Sequence, residues 1–184
     1  MKYCYLEGLG VKKDYRMAEV FSDMFSKQLQ KHRCEIGRDE LLEKDLSYKL
    51  LEQMSSSGRA EVQLLVGLCL HDGLGVRKCE NEAVNWYRLS AEQGNASAQY
   101  ELGVCYSFGQ GVDRDYEQAV KWYRLSANQE HADAQFSLGI CYSFGQGVEK
   151  SYEEALKWFR LSAEQGNTNA QYLGVFYYII TEKG

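Results

Sequence analysis

The segment from Gln99 to Gln129 returns 36 positions later as Gln135 to Gln165, with 21 of the 31 aligned residues identical. Most of the differences keep size or charge type: Tyr100 becomes Phe136, Val104 becomes Ile140, Asp113 becomes Glu149, Arg114 becomes Lys150 and Val120 becomes Leu156. Exchange of this kind follows when each position meets the same surroundings in every copy. A period of this size marks a solenoid, in which each unit is one supersecondary element that buries its apolar face on its neighbours. At 184 residues the chain has room for about five such units. Stacked units build a long groove, so the first expectation for function is the holding of another protein.

The composition, 45% apolar and 26% charged, is that of a chain that folds. Proline is absent, which suits helix and turn and leaves glycine to shape the loops. A net charge of −5 and a pI near 5.3 argue against nucleic acid and against an anionic membrane surface, since both require clustered Lys and Arg. Lys2, Glu7, Lys12, Lys13, Asp14, Arg16 and Glu19 interrupt the N-terminal stretch, so no apolar core of a secretory signal is present, and no run is long enough to span a bilayer. The chain as given reads as cytoplasmic.

Within one copy, Asn95 is a good N-cap, and Ala98, Leu102, Gly103 and Tyr106 recur at three- and four-residue spacing as one apolar helical stripe. This is helix A. The run Phe108-Gly109-Gln110-Gly111-Val112 then ends the helix, turns the chain and uses Val112 to pin the loop to the core. The same Gly-x-Gly-Val stands at Gly8 to Val11, Gly73 to Val76 and Gly145 to Val148. Asp115 with Gln118, and Ser151 with Glu154, have capping-box spacing, and Tyr116, Ala119, Val120, Tyr123 and Ala127 form the stripe of helix B. Small Gly103 and Ala119 allow the two helices to approach closely. Gly94 and Gly166 end helix B in a left-handed turn, whereas Glu130 stands at that place in the middle copy, at a cost of about 1 kcal/mol.

Residues that could carry chemistry have ordinary structural readings. Cys69, Cys105 and Cys141 share one repeat position, with Cys4 in the same frame, and read as small buried thiols; Cys34 and Cys79 fall outside it. Trp86, Trp122 and Trp158 read as filling between units rather than as a stacking site. His32, His71 and His131 lie at unrelated repeat positions, and Cys69, His71 and Cys79 lack the paired spacing of a structural zinc site. Neither a metal nor a catalytic set is expected. Asn95-Ala96-Ser97 is a formal glycosylation sequon at a helix start and reads as chance.

The combined pattern is carried by Ala96, Ala98, Gln99, Tyr100, Leu102, Gly103, Tyr106, Gly109, Gly111, Val112, Asp115, Tyr116, Ala119, Trp122, Tyr123, Arg124 and Ala127, and again from Ala132 to Asn167. It resembles the Sel-1-like repeat, a relative of the tetratricopeptide repeat, over residues 59–181. The resemblance implies an all-α, right-handed α-solenoid of antiparallel helix pairs, with A helices on the concave side and an adaptor or scaffold role. It brings no catalytic residue and no cofactor.

The chain is expected to be a single solenoid over 1–184, with a partial repeat at 1–21, longer degenerate helices at 22–58, full repeats at 59–94, 95–130 and 131–166, and the terminal helix of an incomplete repeat at 167–184. Since residues 3–21 lack the front half of a unit, the chain reads as a fragment of a longer array. In Ala170-Gln171-Tyr172-Leu173-Gly174 one residue is lost between Tyr and Leu, which rotates every later position of the helix by about 100°. The apolar stretch Tyr172 to Ile180 is expected to pack on the last helix B and to leave a face for self-association.

If A helices line the concave side, Leu64, Leu68, His71, Tyr100, Val104, Ser107, Phe136, Ile140 and Ser143 form an apolar floor flanked by small hydroxyls, fit for a helix or extended peptide with spaced apolar anchors. The competing reading is that Leu64, Tyr100 and Phe136 pack between adjacent A helices. The functional expectation is a non-enzymatic protein-binding scaffold. The alternative is a small-ligand binder or hydrolase like the cysteine-rich, penicillin-binding proteins of similar repeats, against which one cysteine per repeat speaks.

Overall fold

The computed structural model describes residues 58–73 and 76–182, with side chains through residue 179. The partial repeat at 1–21, the helices expected over 22–57, and Cys4, His32 and Cys34 lie outside the described residues, as do Leu74 and Gly75 of one loop. The described chain is helix and turn without strand: α1 (Ala60–Asp72), α2 (Glu80–Glu92), α3 (Ala96–Phe108), α4 (Tyr116–Ala127), α5 (Ala132–Phe144), α6 (Tyr152–Glu164) and α7 (Thr168–Glu182). Odd-numbered helices are of type A and even-numbered ones of type B. Each packs chiefly on the helix before and the helix after it, which makes an all-α solenoid.

The helix starts lie where the side chains dictate. The amide of Ala98 donates to Asn95 Oδ1 at 2.9 Å, that of Gln118 to Asp115 Oδ1 at 3.0 Å and that of Glu154 to Ser151 Oγ at 3.3 Å. The reciprocal half of the expected capping box is replaced. The amides of Asp115 and Ser151 donate instead to the carbonyls of Tyr106 and Tyr142, at 2.9 and 3.0 Å, and so tie the start of helix B to the last turn of helix A. Cys79 makes the same bond, to Leu70 O at 2.8 Å, and occupies the N-cap of α2 without a side-chain cap bond. It is the repeat equivalent of Asp115 and Ser151, which accounts for its place outside the thiol register.

Pairing of A with B depends on one contact repeated three times. Tyr87, Tyr123 and Phe159 are buried, each with its ring over a glycine, Gly67, Gly103 or Gly139. A Cβ on any of these glycines would stand 2.6 Å from ring carbons. The tryptophans one position earlier are half-buried, and Trp122 and Trp158 pack on the cores of the units before their own. The second loop glycine has another role. Gly111 (φ 69°) and Gly147 (φ 69°) press on the backbone carbonyls of Glu80 and Tyr116, at the start of the preceding B helix, where no side chain fits.

Buried polar groups form a second repeating set. Ser90, Ser126 and Ser162 donate their hydroxyls to the carbonyls of Ala60, Ala96 and Ala132 at 2.6, 2.7 and 2.7 Å, so that each B helix holds the first turn of its own A helix. Gln99 and Gln135 donate back to the carbonyls of Ala91 and Ala127, at 3.1 and 3.2 Å, and accept from Gln129 and Gln165, at 2.8 and 2.7 Å. One buried amide therefore bridges the previous unit and its own. At the outer edge Arg88 and Arg124 donate to the hydroxyls of Tyr106 and Tyr142, at 3.2 and 2.8 Å, linking each B helix to the next A helix.

In α7 the lost residue has a visible consequence. Its first turn keeps the register of α5: the amide of Ala170 donates to Asn167 Oδ1 at 3.0 Å, as Ala134 does to His131, and Ala170 is buried like Ala134. The helix runs on without interruption, so Gly174 falls where α5 has Leu138, and Val175 where it has Gly139. Tyr177, at the place of Cys141, is buried with its ring centroid 5.5 Å from Phe159 and 5.4 Å from Tyr152. The helix packs on α6.

Leu102 and Leu138 are fully buried in successive A helices, so either change to Ala is expected to cost about 2–5 kcal/mol, read from urea unfolding of the chain. Glu130 has φ 63°, where Gly94 and Gly166 have φ 89° and 91°, and is the sole non-glycine with positive φ among the described residues. Glu130→Gly is expected to stabilise the array by about 1 kcal/mol, seen as a raised urea midpoint.

Candidate interaction surface

The structure buries three of the nine residues expected on the concave floor. Leu64 and Leu68 belong to the first core cluster, and Ser143 turns its hydroxyl back to Gly139 O at 2.8 Å. The other six are half-buried. The ring of Tyr100 lies stacked on His131, centroids 5.0 Å apart, and tilted to Tyr123 at 6.0 Å; Phe136 lies 5.7 Å from Phe159. Val104 packs with Tyr100 on the cluster built from α4 and α5, while Phe136 and Ile140 pack on that of α6 and α7. On α3 and α5 this row therefore leans onto the helix B of its own unit and the next helix A, and leaves only its edge to solvent. Ser107 lies beside the Tyr123 hydroxyl, and His71 pairs its Nδ1 with Asp72 at 2.9 Å.

Sequence reasoning missed Glu101. It stands in α3 where α1 has Leu65 and α5 has Ser137, between His71 and Asp72 at the end of α1 and Asp133 at the start of α5. Burial, with Asp72 and Asp133 adding to it, raises its carboxyl to about 7 against the opposing pull of His71. A lone acid at a position that is otherwise leucine or serine was the available signal. His131 also has a definite place. It is the N-cap of α5, the equivalent of Asn95 and Asn167, and accepts from the Ala134 amide through Nδ1 at 3.3 Å, with burial lowering its pKa. Acceptance requires that nitrogen to be unprotonated.

Exposed aromatics lie off the expected row. Phe108 and Phe144, the last residues of α3 and α5, are 71% and 65% exposed, and on the B helices Leu89, Leu125 and Leu161 form a partly exposed row at one repeat position. Burial raises the thiols of Cys69 and Cys141 to about 11 and that of Cys105 to about 12, so they remain protonated and poorly nucleophilic. Among the described residues no group of three or more His, Cys, Asp or Glu could hold a metal ion, and Cys69, Cys79, Cys105 and Cys141 are free. No described helix is long and apolar enough to cross a membrane.

The Sel1 repeat family model matches residues 3–20, 60–95, 96–131 and 132–167. The chain belongs to the Sel1 repeat family. Sel1 repeat proteins are in general protein-interaction scaffolds. The chain is similar to the Sel1 repeat protein from Oxalobacter formigenes, with a TM-score of 0.68 and 38% identity over 72% of this chain and 55% of that one. It is similar also to c5321, a protective antigen present in uropathogenic Escherichia coli strains that displays an SLR fold, with a TM-score of 0.65 and 42% identity over 67% of this chain and 27% of that one. It therefore spans about half the length of the first Sel1 repeat protein and about a quarter of the second. Helicobacter pylori cysteine rich protein B covers 68% of the chain with 96% of its own length, at a TM-score of 0.56 and 21% identity, a likeness of fold alone. No curated protein sequence matches the chain.

The Glu101 carboxyl gives this Sel1 array a pH dependence with a definite sign. Its folded pKa, about 7, lies above the ordinary 4.5, so the folded state holds the proton more tightly. That contribution is complete below pH 4.5 and is lost as pH rises through about 7. Glu101→Gln is expected to raise stability at pH 8 by on the order of 1–3 kcal/mol and to change it little at pH 4, measured by urea unfolding at both values. His131 works in the opposite direction. Its lowered pKa gives a contribution present above pH 6.5 and lost as pH falls below it.

Proposed function

We propose that this Sel1 array is a non-enzymatic protein-binding module. Its partner segment, a helix or extended peptide, lies along the A helices, sets apolar anchors against the edges of Tyr100, Val104, Phe136 and Ile140, and brings a basic residue to Glu101. The observation that carries the reading is Glu101 itself. A carboxyl half-sunk between three A helices, beside Asp72 and Asp133, is poorly solvated and sits in a negative field, and a Lys or Arg from a partner would relieve both. The half-buried row on α3 and α5 supplies apolar edge without the entropy cost of ordering free side chains, because packing on their own B helices and the next A helix already fixes those rings. His71 and Ser107 stand at the rim of the same surface. The free thiols among the described residues suit a reducing compartment such as the cytoplasm.

The test is selection of binders from a random displayed-peptide library. Sequences with spaced apolar residues and at least one Lys or Arg are expected to enrich, and Glu101→Lys, with its helical circular dichroism unchanged, should weaken them at least tenfold, about 1.4 kcal/mol. Leu125→Glu, on a B helix, should leave binding as it was. Binders that tolerate Glu101→Lys but are lost with Leu125→Glu would move the site to the B-helix face.

A further inference from the structure

The rings that B helices lay on glycine differ in what their tips meet. In the second unit the Tyr123 hydroxyl lies beside Ser107. In the third, Phe159 has no hydroxyl, and Ser143, the equivalent of Ser107, turns to Gly139 O. The first unit has His71 at that position, with its Nδ1 engaged by Asp72 at 2.9 Å and its ring 6.3 Å from that of Tyr87. The Tyr87 hydroxyl, on a fully buried side chain, has no hydrogen-bond partner among the described residues. Buried polar groups are nearly always paired, so an orphan of this kind calls for a reason.

Its surroundings supply one. Burial holds the Tyr87 proton far above its ordinary range, and of the side chains acting on it Glu101 leads, ahead of Cys105, Asp72 and Cys69. The hydroxyl is therefore a donor on the inner side of Glu101, whose carboxyl keeps its own proton up to about 7. Ionised, that carboxyl becomes the stronger acceptor, and it has two oxygens to offer. One turned inward accepts from Tyr87, and the other, turned to the groove, accepts from a cation. With the inner oxygen taken, a single one is left for the partner. The planar fork of a guanidinium matches both oxygens of a carboxylate at once, whereas an ammonium is a point charge whose three donors can be divided among separate acceptors. Exposed Asp72, at the end of α1, is the second acceptor beside Glu101.

We infer that Glu101, Asp72 and Tyr87 form a docking site for a lysine ε-ammonium of the partner segment, in which Tyr87 is the positioning residue that fixes the Glu101 carboxylate and makes the site prefer lysine to arginine; the inference rests on the reading of the A-helix face as the binding surface. The ammonium donates to the outer oxygen of Glu101 and to Asp72. Half-buried Val104, one turn further along α3, gives the methylene stem an apolar edge to lie on.

Two displayed-peptide libraries, alike except that the single permitted basic residue is Lys in one and Arg in the other, are selected on the full chain. The enriched peptides and their Lys-to-Arg counterparts are then titrated calorimetrically against the wild type, Glu101→Lys and Tyr87→Phe. The third unit already carries phenylalanine at this position, as Phe159, and Tyr87→Phe removes only a hydroxyl without a partner, so its urea midpoint is expected to stay the same or rise. Lys peptides are expected to bind about fivefold more tightly than their Arg counterparts, and Tyr87→Phe to weaken them about fivefold and erase the preference. A role confined to packing would move the midpoint and not the preference. Arg peptides that bind as tightly as Lys peptides overturn the inference, as do Lys peptides indifferent to Tyr87→Phe, even while Glu101→Lys abolishes binding and the underlying reading stands. A urea midpoint lowered by Tyr87→Phe also overturns it, since the hydroxyl would then already have its partner. Peptides indifferent to Glu101→Lys remove the underlying reading, and this inference with it.

Discussion

An aromatic ring seated on a missing Cβ organises this chain. Gly67, Gly103 and Gly139 let Tyr87, Tyr123 and Phe159 close on helix A, and the closeness sets everything downstream. It brings each B-helix serine within reach of an A-helix carbonyl, and puts the end of helix B beside the buried glutamine of helix A. With the pair fixed, the two faces left over have complementary shapes, and stacking results. The A helices are apolar or small on nearly every side because they are enclosed by their partners, whereas the B helices are strongly amphipathic because one face meets solvent.

Much of the fold was legible because the 36-residue repeat reports the same environment three times over. Helix boundaries, the loop glycines, the strained Glu130 and the three thiol positions all come from local rules acting on Asn95, Gly109 or Leu102. The illegible part depends on partners distant in sequence. Gln99 and Gln135 look like surface residues until Ala91 and Gln129, or Ala127 and Gln165, close around them. The capping boxes at Asp115 and Ser151 form only by half, because a helix A carbonyl competes for the amide that the box would have used. Trp122 and Trp158 lie between units as their spacing implies, yet the ring that fills each helix pair is the residue after the tryptophan.

The surface was legible only in outline. Periodicity finds the row of Tyr100, Val104, Phe136 and Ile140, but it cannot say how far each leans onto its own helix B and the next helix A, since that depends on the stacking distance. Phe108 and Phe144 escape because they are the last residues of their helices, where the stripe argument stops. Glu101 differs in kind. It is visible in the sequence as an acid in a leucine position, and becomes informative only once Asp72 and Asp133 are brought to either side of it.

The junction between the second and third units carries an unusual pair. Glu130 sits in a left-handed conformation that the neighbouring units give to glycine, and His131 caps the next helix with a ring that must stay neutral. In a linear array, stability is a sum of unit terms and nearest-neighbour couplings, so one weak coupling divides the array into two blocks that open in sequence rather than together. The break falls between Ala127 and Ala132, and mild acid weakens it further. A ligand lying across both blocks would act as a splint, and its affinity would include the work of holding that one joint closed.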